Sequence, residues 1–298
     1  MIGRLVECVP NISEGRRREV IDAVVDAVRQ TPGVRVLNVQ SDESHNRTVI
    51  TFAGEGEAVA QAALALVGKA VELIDLRDHH GEHPRVGAVD VIPFVPLGET
   101  TIEECVGLAR RLGEQIWAAL RLPVYLYAAA ATAAHRVRLP DIRQGEFEGL
   151  AEKMLRDGWA PDVGDPHPHP SAGAVVVGAR FPLIAYNINL RTTDVKIARA
   201  VARAVRGSSG GLVNVQALGV MAASGLAQVT INILDASKTP MARIFDLVRV
   251  EAERYGVEVA ESEVVGLVPL DAIVDAARTH LRMHSFDRGQ ILEVRLLE

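Results

Sequence analysis

Apolar and polar residues follow one another along the 298-residue chain in short, regular blocks that predict alternating strands and helices. Arg4 to Val9 reads as an apolar strand, and Asn11 to Gly15 as a polar turn in which Ser13 is the expected cap of the first helix. From Arg18 to Gln30 apolar residues recur at helical spacing, with Val20, Ile21, Val24, Val25 and Val28 on one face, until Pro32-Gly33 breaks the pattern. Val34 to Val39 is predicted as a second strand, Asp42 to His45 as a polar turn, and Thr48 to Ala53 as a third strand rich in β-branched residues. A long Ala-rich helix from Ala58 to Ile74 comes next, then a Gly- and His-rich loop from Asp78 to Gly87, then a strand from Val89 to Val95 that Pro96 is expected to end.

The second half repeats this order. Leu183 to Leu190 reads as a strand, Asp194 to Val205 as a helix, Val213 to Val220 and Ala227 to Leu234 as strands, Pro240 to Tyr255 as a helix opened by proline, and Val257 to Val268 as the last strand. Val95-Pro96-Leu97 recurs as Val268-Pro269-Leu270, each time between an apolar strand and a helix. The repeated element order is a stronger sign of duplication than the three matching residues. Each half has the split βαβ order of the ferredoxin-like fold, so the expected fold class is α+β with two ferredoxin-like (βαββαβ) subdomains, residues 1–179 and 180–298. Between the repeats lies an excursion from Gly98 to Ala179. It carries a helix from Ile102 to Leu120, a strand from Val124 to Ala128, a helix near Glu146 to Leu155, and a Pro- and His-rich loop from Trp159 to Gly173. A loop that long in a domain is usually functional or disordered, and four prolines favour an ordered one.

Composition narrows the function classes. A net charge of −6 with no basic block makes nucleic acid an unexpected partner. No apolar run reaches membrane-spanning length, and the N-terminus reads as a strand and not as a signal peptide, so a cytoplasmic protein is expected. The two cysteines, Cys8 and Cys105, sit inside apolar patterns and read as small buried hydrophobes.

Three polar clusters carry candidate chemistry. Asp78 to Arg85, with the run Gly81-Glu82-His83-Pro84-Arg85, sits ahead of a buried strand; a histidine there can take a proton from an amine, and Arg85 offers a planar fork for a carboxylate. The same residues also fit a solvated loop, or a metal pair of His80 and His83, against which Gly81 and Pro84 weigh because they break a helical ligand face. Asp42 to Arg47 is the second cluster; Asn46 and Arg47 could hold a dicarboxylate or could be ordinary turn residues. The third is Gly164-Asp165-Pro166-His167-Pro168-His169-Pro170-Ser171-Ala172-Gly173, whose glycines let a backbone approach a flat ligand and whose prolines pre-order it. A rigid connector, or metal binding by His167 and His169, fits that segment too. There is no dinucleotide or phosphate-loop glycine motif.

Several segments together resemble the glutamate formiminotransferase family. They are Leu5 to Gly15 (LVECVPNISEG), His45-Asn46-Arg47-Thr48, Gly81-Glu82-His83-Pro84-Arg85, Val124-Tyr125-Leu126-Tyr127 and Ile184 to Leu190 (IAYNINL), and the resemblance runs over almost the whole chain. It implies transfer of a formimino group from N-formimino-L-glutamate to tetrahydrofolate, a co-substrate, with a ligand tunnel between two ferredoxin-like subdomains, no metal, and a homodimer. It implies His83 as the catalytic base, with Asp42, Asn46, Arg47 and Arg85 around the donor. It puts folate along Gly164, Asp165, Pro166, His167, Pro168, His169, Pro170, Ser171, Ala172 and Gly173, ahead of Gly178-Ala179-Arg180. Gln40 stands where mammalian members are acidic, and Asp42 could take that place. Because the chain ends at Glu298, no ammonia-releasing cyclodeaminase activity is expected. The alternatives are a relative that acts on 5-formyltetrahydrofolate and a non-catalytic folate-binding module, with a metal hydrolase more distant.

Overall fold

In the computed structural model, which describes residues 3–297, the apolar start of the chain forms β1 (Arg4–Cys8). Pro10, which has no N–H to give a ladder, interrupts it, and β2 (Asn11–Ile12) continues the line. Then come α1 (Arg18–Arg29), β3 (Val34–Asp42), β4 (Arg47–Gly54), α2 (Gly56–Leu73) and β5 (Val89–Gly98). The excursion supplies α3 (Ile102–Leu120), β6 (Val124–Ala128), α4 (Leu139–Arg143), α5 (Leu150–Met154) and β7 (Val175–Ala179). Met1, Ile2 and Glu298, the ends of the expected subdomains, lie outside the described residues.

These strands make one seven-stranded sheet. β3 pairs with β4, and β1 and β2 lie in line between β4 and β5, all antiparallel. β7 and then β6 extend the sheet on the β5 side in parallel. One face is buried under α1, α2 and α3, where Val24, Val28, Leu66, Leu112 and Ile116 meet Phe52 and Phe94. On the other face Val91, Tyr125, Tyr127 and Val176 pack with Ile142 of α4 and Leu150 and Met154 of α5. The excursion therefore supplies two strands of the sheet, a helix on one face and the cover of the other face, and is not an appendage.

A second unit begins at Phe181. It contains β8 (Ile184–Leu190), α6 (Val195–Val205), β9 (Val215–Met221), β10 (Ala227–Ile233), α7 (Met241–Glu253), β11 (Val259–Val265), α8 (Leu270–His280) and α9 (Leu292–Leu297). Its antiparallel sheet runs β11-β8-β10-β9. Ile184, Tyr186, Ile188 and Leu190 face Val201, Val205, Ile244 and Val248 in its core. β1 and β2 lie between β4 and β5, and β8 lies between β10 and β11, so the element order read as a repeat is matched by a repeated pairing order over β1–β5 and β8–β11.

Three local expectations change. Pro96 does not end its strand: β5 runs on to Gly98, with Pro96 opposite Val6. Ser13 does not cap α1, whose N-cap is Arg17 with no side-chain cap hydrogen bond; the Glu14 carboxylate orders the turn just ahead of it, accepting from the backbone N–H of Arg16 and Arg17 at 2.9 Å each. Within the excursion, α4 (Leu139–Arg143) and β7 (Val175–Ala179) were not predicted. Cys8 and Cys105 are both free and buried, as their apolar settings suggested. No helix among the described residues is long and apolar enough to cross a membrane.

Two glycines separate close approach from mere flexibility. A Cβ on Gly87 would lie 1.9 Å from the Ala174 carbonyl oxygen, whereas one on Gly68, inside α2, meets nothing within 4 Å. Gly87→Ala should lower the unfolding free energy by more than about 2 kcal/mol. Gly68→Ala should raise it by about 0.5–1 kcal/mol. Denaturant melts of both variants check the pair, and equal effects would contradict the assignment.

Candidate active site

Three turns converge at one end of the first sheet, and glycines let them touch. A Cβ on Gly15 would fall 2.3 Å from the Asp42 carbonyl oxygen, and one on Gly81 would fall 2.4 Å from that of His45. Asn46, in the left-handed region at φ 47°, is the knot between them. Its side-chain oxygen accepts from Gly15 N at 2.9 Å and its amide nitrogen donates to the His80 carbonyl at 3.1 Å. Its own carbonyl accepts from His79 Nε2 at 3.0 Å. His79 Nδ1 in turn accepts from Arg85 Nε at 3.2 Å, which fixes the tautomer. Burial pushes the His79 pKa down, so the ring stays neutral. Ser13 donates its hydroxyl to the Gly87 carbonyl at 2.8 Å, tying the N-terminal turn to the histidine loop.

The loop from Gly164 to Gly173 is joined to that same histidine loop by backbone pairing. Ala88 N donates to the Ala172 carbonyl and Ala174 N to the Val86 carbonyl, each at 3.0 Å, with Gly87 and Gly173 face to face. Gly173 has φ +67°, and a Cβ there would meet the Val86 carbonyl oxygen at 2.1 Å. His169 and Gly173 exchange backbone hydrogen bonds of 2.8 and 2.9 Å, and His169 Nδ1 accepts from Ala172 N at 3.1 Å. At the other end Gly164 sits where a Cβ would strike the Trp117 ring at 2.7 Å. The loop start is held by a buried pair that sequence reasoning did not single out. Arg136 meets Asp162 at 2.6 Å and donates to the carbonyls of Gly158 and Ala160.

His83 is half-buried, and its ring makes no protein hydrogen bond among the described residues. Its pKa falls to about 2, first through burial and then through the positive charges of Arg143 and Arg47. Arg47 is brought to the same place. Its Nε is buried without a partner, and its guanidinium has no hydrogen bond or ion pair among the described residues. Burial and the nearby Arg143 charge lower its pKa.

The other expected donor ligands do different work. Asp42 accepts from the His45 backbone N–H at 2.9 Å and pairs with His45 Nδ1 at 2.8 Å. Burial works to raise its pKa, but these hydrogen bonds hold it below the usual value. The Arg85 guanidinium is fully committed: Nε to His79, Nη1 to Glu146 (2.8 Å) and Glu148 (2.9 Å), Nη2 to Glu148 (2.6 Å) and the His79 carbonyl. It clamps the histidine loop to the turn after α4. Sequence reasoning missed Arg143 and Asp90. They form a buried ion pair across 53 positions, and no local pattern marks either. Asp90 also accepts from Val86 N at 3.0 Å, so one carboxylate fixes both the histidine loop and Arg143. Among the described residues no group of three or more His, Cys, Asp or Glu is placed to hold a metal ion.

The family description "Formiminotransferase domain, N-terminal subdomain" matches residues 5–180, and "Formiminotransferase domain" matches residues 185–293. Among curated relatives, the "Glutamate formimidoyltransferase" of Streptococcus pyogenes serotype M1 is 45% identical over 298 residues, 99% of this chain and 100% of that one. That of Thermoplasma acidophilum is 46% identical over 292 residues, covering 97% and 96%. The "Formimidoyltransferase-cyclodeaminase" of Sus scrofa is 47% identical over 282 residues, covering 93% of this chain and 52% of that longer one.

A histidine held neutral by its surroundings makes stability pH-dependent. The unfolded chain takes up a proton near pH 6.5 while folded His83 resists it down to about pH 2. Its contribution is therefore complete above pH 6.5 and is lost as pH falls, at most about 1.4 kcal/mol per pH unit. His83→Asn should make the stability profile less steep between pH 6.5 and 5, with part of the slope kept by His79 and His169, whose pKa values burial also lowers. The depressed carboxylates of Glu14 and Asp42 act only lower, near and below their ordinary values. Parallel profiles for the two proteins in urea melts would show that His83 is not so held.

Proposed function

The chain belongs to the formiminotransferase family, and on that premise we propose that it moves the formimino group of N-formimino-L-glutamate onto N5 of tetrahydrofolate. The observation that carries the reading is the joining of two loops: the one bearing neutral His83 is backbone-paired with the Gly164–Gly173 loop, which takes the folate. The repeated strand order, with β1 and β2 between β4 and β5 and β8 between β10 and β11, supports two ferredoxin-like subdomains.

N5 attacks the formimino carbon, and a new C–N bond forms as the C=N electrons move to the imino nitrogen. N5 must lose its proton or the adduct reverts. His83, neutral at physiological pH, carries the free lone pair that takes it. The imidazolium then gives that proton to the glutamate nitrogen as the old C–N bond breaks, leaving glutamate and 5-formiminotetrahydrofolate with no net proton change. Arg47 faces a donor carboxylate, which supplies the anion its buried Nε lacks. Asn46 and Arg85 support the site through the loops they pin. Folate lies along Gly164 to Gly173, where close backbone packing at both glycine ends fixes the loop before ligand arrives. Much of the acceleration comes from holding two substrates in register.

A single-turnover assay with tetrahydrofolate should yield 5-formiminotetrahydrofolate from N-formiminoglutamate, and no transfer from 5-formyltetrahydrofolate to glutamate. Turnover of the second pair alone would make the protein a formyl-group enzyme. His83→Ala should fold and lose about 10²–10⁴-fold in kcat, with a smaller change in KM.

A further inference from the structure

We propose that Arg143 is a specificity-determining residue of this site: together with Arg47 it forms a two-guanidinium cleft beside His83 that takes a carboxylate of the amino-dicarboxylate donor. The proposal rests on the formimino-transfer reading above and names the second half of its donor site, which no motif in the chain marks.

The case is one of charge and geometry. Arg143 ends α4 and its side chain is only 14% exposed, against 1% for Asp90. Nε and Nη2 both donate to the same Asp90 oxygen, with Nε at 3.0 Å. That leaves Nη1 without a protein acceptor among the described residues, on a guanidinium whose plane is already fixed. Arg47 contributes a second half-buried guanidinium with an unpartnered Nε. The neighbouring carboxylates are already engaged. Asp42 holds His45, and Glu146 and Glu148 hold Arg85. Asp90 pairs with Arg143 alone and Arg47 has no ion pair among the described residues, so one positive charge is left over in a partly desolvated place. A buried charge without a partner is costly unless an anion completes it. A planar carboxylate matches the fork geometry of guanidinium donors.

The arrangement also bears on His83. Burial is the first cause that keeps its imidazole neutral, and the Arg143 and Arg47 charges add to it. A carboxylate between the two guanidiniums offsets both, so the donor strengthens the base that will act on its partner.

The test is a calorimetric titration with L-glutamate, 4-aminobutyrate (no α-carboxylate) and 2-aminobutyrate (no γ-carboxylate), run on the unaltered protein and on Arg143→Lys. Arg143→Lys keeps a cation against Asp90 and removes the fork; an Asp90→Asn/Arg143→Gln double variant, which leaves no buried lone charge, guards against loss of folding. Expected is a loss of glutamate affinity of roughly tenfold to hundredfold in both variants, the range for a charge-assisted hydrogen bond. The loss should shrink to within about threefold for one of the two monocarboxylates. Affinity for tetrahydrofolate should stay within about twofold. Equal losses for all three amino acids, a loss that falls on tetrahydrofolate, or no glutamate binding by the unaltered protein overturns the assignment. Turnover of N-formiminoglutamate, measured separately, tests the reaction itself: specific glutamate binding without turnover would sink the proposed reaction and leave the cleft standing.

Discussion

The close approach of Gly87 to Gly173 is the constraint on which the rest of the site depends. Only a residue without a side chain lets the backbones of the histidine loop and the 164–173 loop pair at this distance. Once they pair, the loop of His83 and the 164–173 loop are held together, anchored by Ser13 on one side and by Leu76 donating to the Ser171 carbonyl on the other. Gly15 and Gly81 extend the same logic to the 42–47 turn, with Asn46 satisfying donors and acceptors that would otherwise be buried unpaired. The glycines remove steric bulk, and the polar side chains then supply the hydrogen bonds that the close approach requires.

Electrostatics divides the arginines around these loops into two kinds. Arg85 has every nitrogen engaged, and Arg136 is held by Asp162 and the Gly158 and Ala160 carbonyls with only its Nε left without an acceptor; both act as struts that join a loop to a distant segment. Arg143 has Asp90 as its one carboxylate and Arg47 has no ion pair among the described residues, so a surplus of positive charge stays beside His83. A guanidinium with all its nitrogens engaged stabilises a structure but has nothing left for a ligand, whereas one with an open fork costs stability until a ligand arrives. Identity of residue type is no guide to which case applies; the count of neighbouring acceptors decides it.

Much of this was legible in the chain. Alternating apolar runs marked the strands and helices of both repeats, because burial on one face imposes a period that survives in sequence. The Gly-Glu-His-Pro-Arg run and the Pro-rich loop stood out as polar, turn-forming segments ahead of buried strands, and the structure joins those two loops directly. Contiguous clusters of this kind are readable since their members are neighbours in the chain. Partnerships across long separations were not readable in this way. Asp90 and Arg143 meet over 53 positions, and Arg85 finds Glu146 and Glu148 over 61 and 63. Ser13, set where a helix cap belongs, bonds instead to Gly87 74 residues away. Pro96 stays inside its strand, paired with Val6 on β1. The order of residues alone settled which segments would form and which loops would carry polar chemistry, since local spacing and burial period are properties of neighbouring residues. The packing of those segments settled which of the arginines in those loops kept an open fork, since that depends on acceptors delivered from elsewhere in the chain.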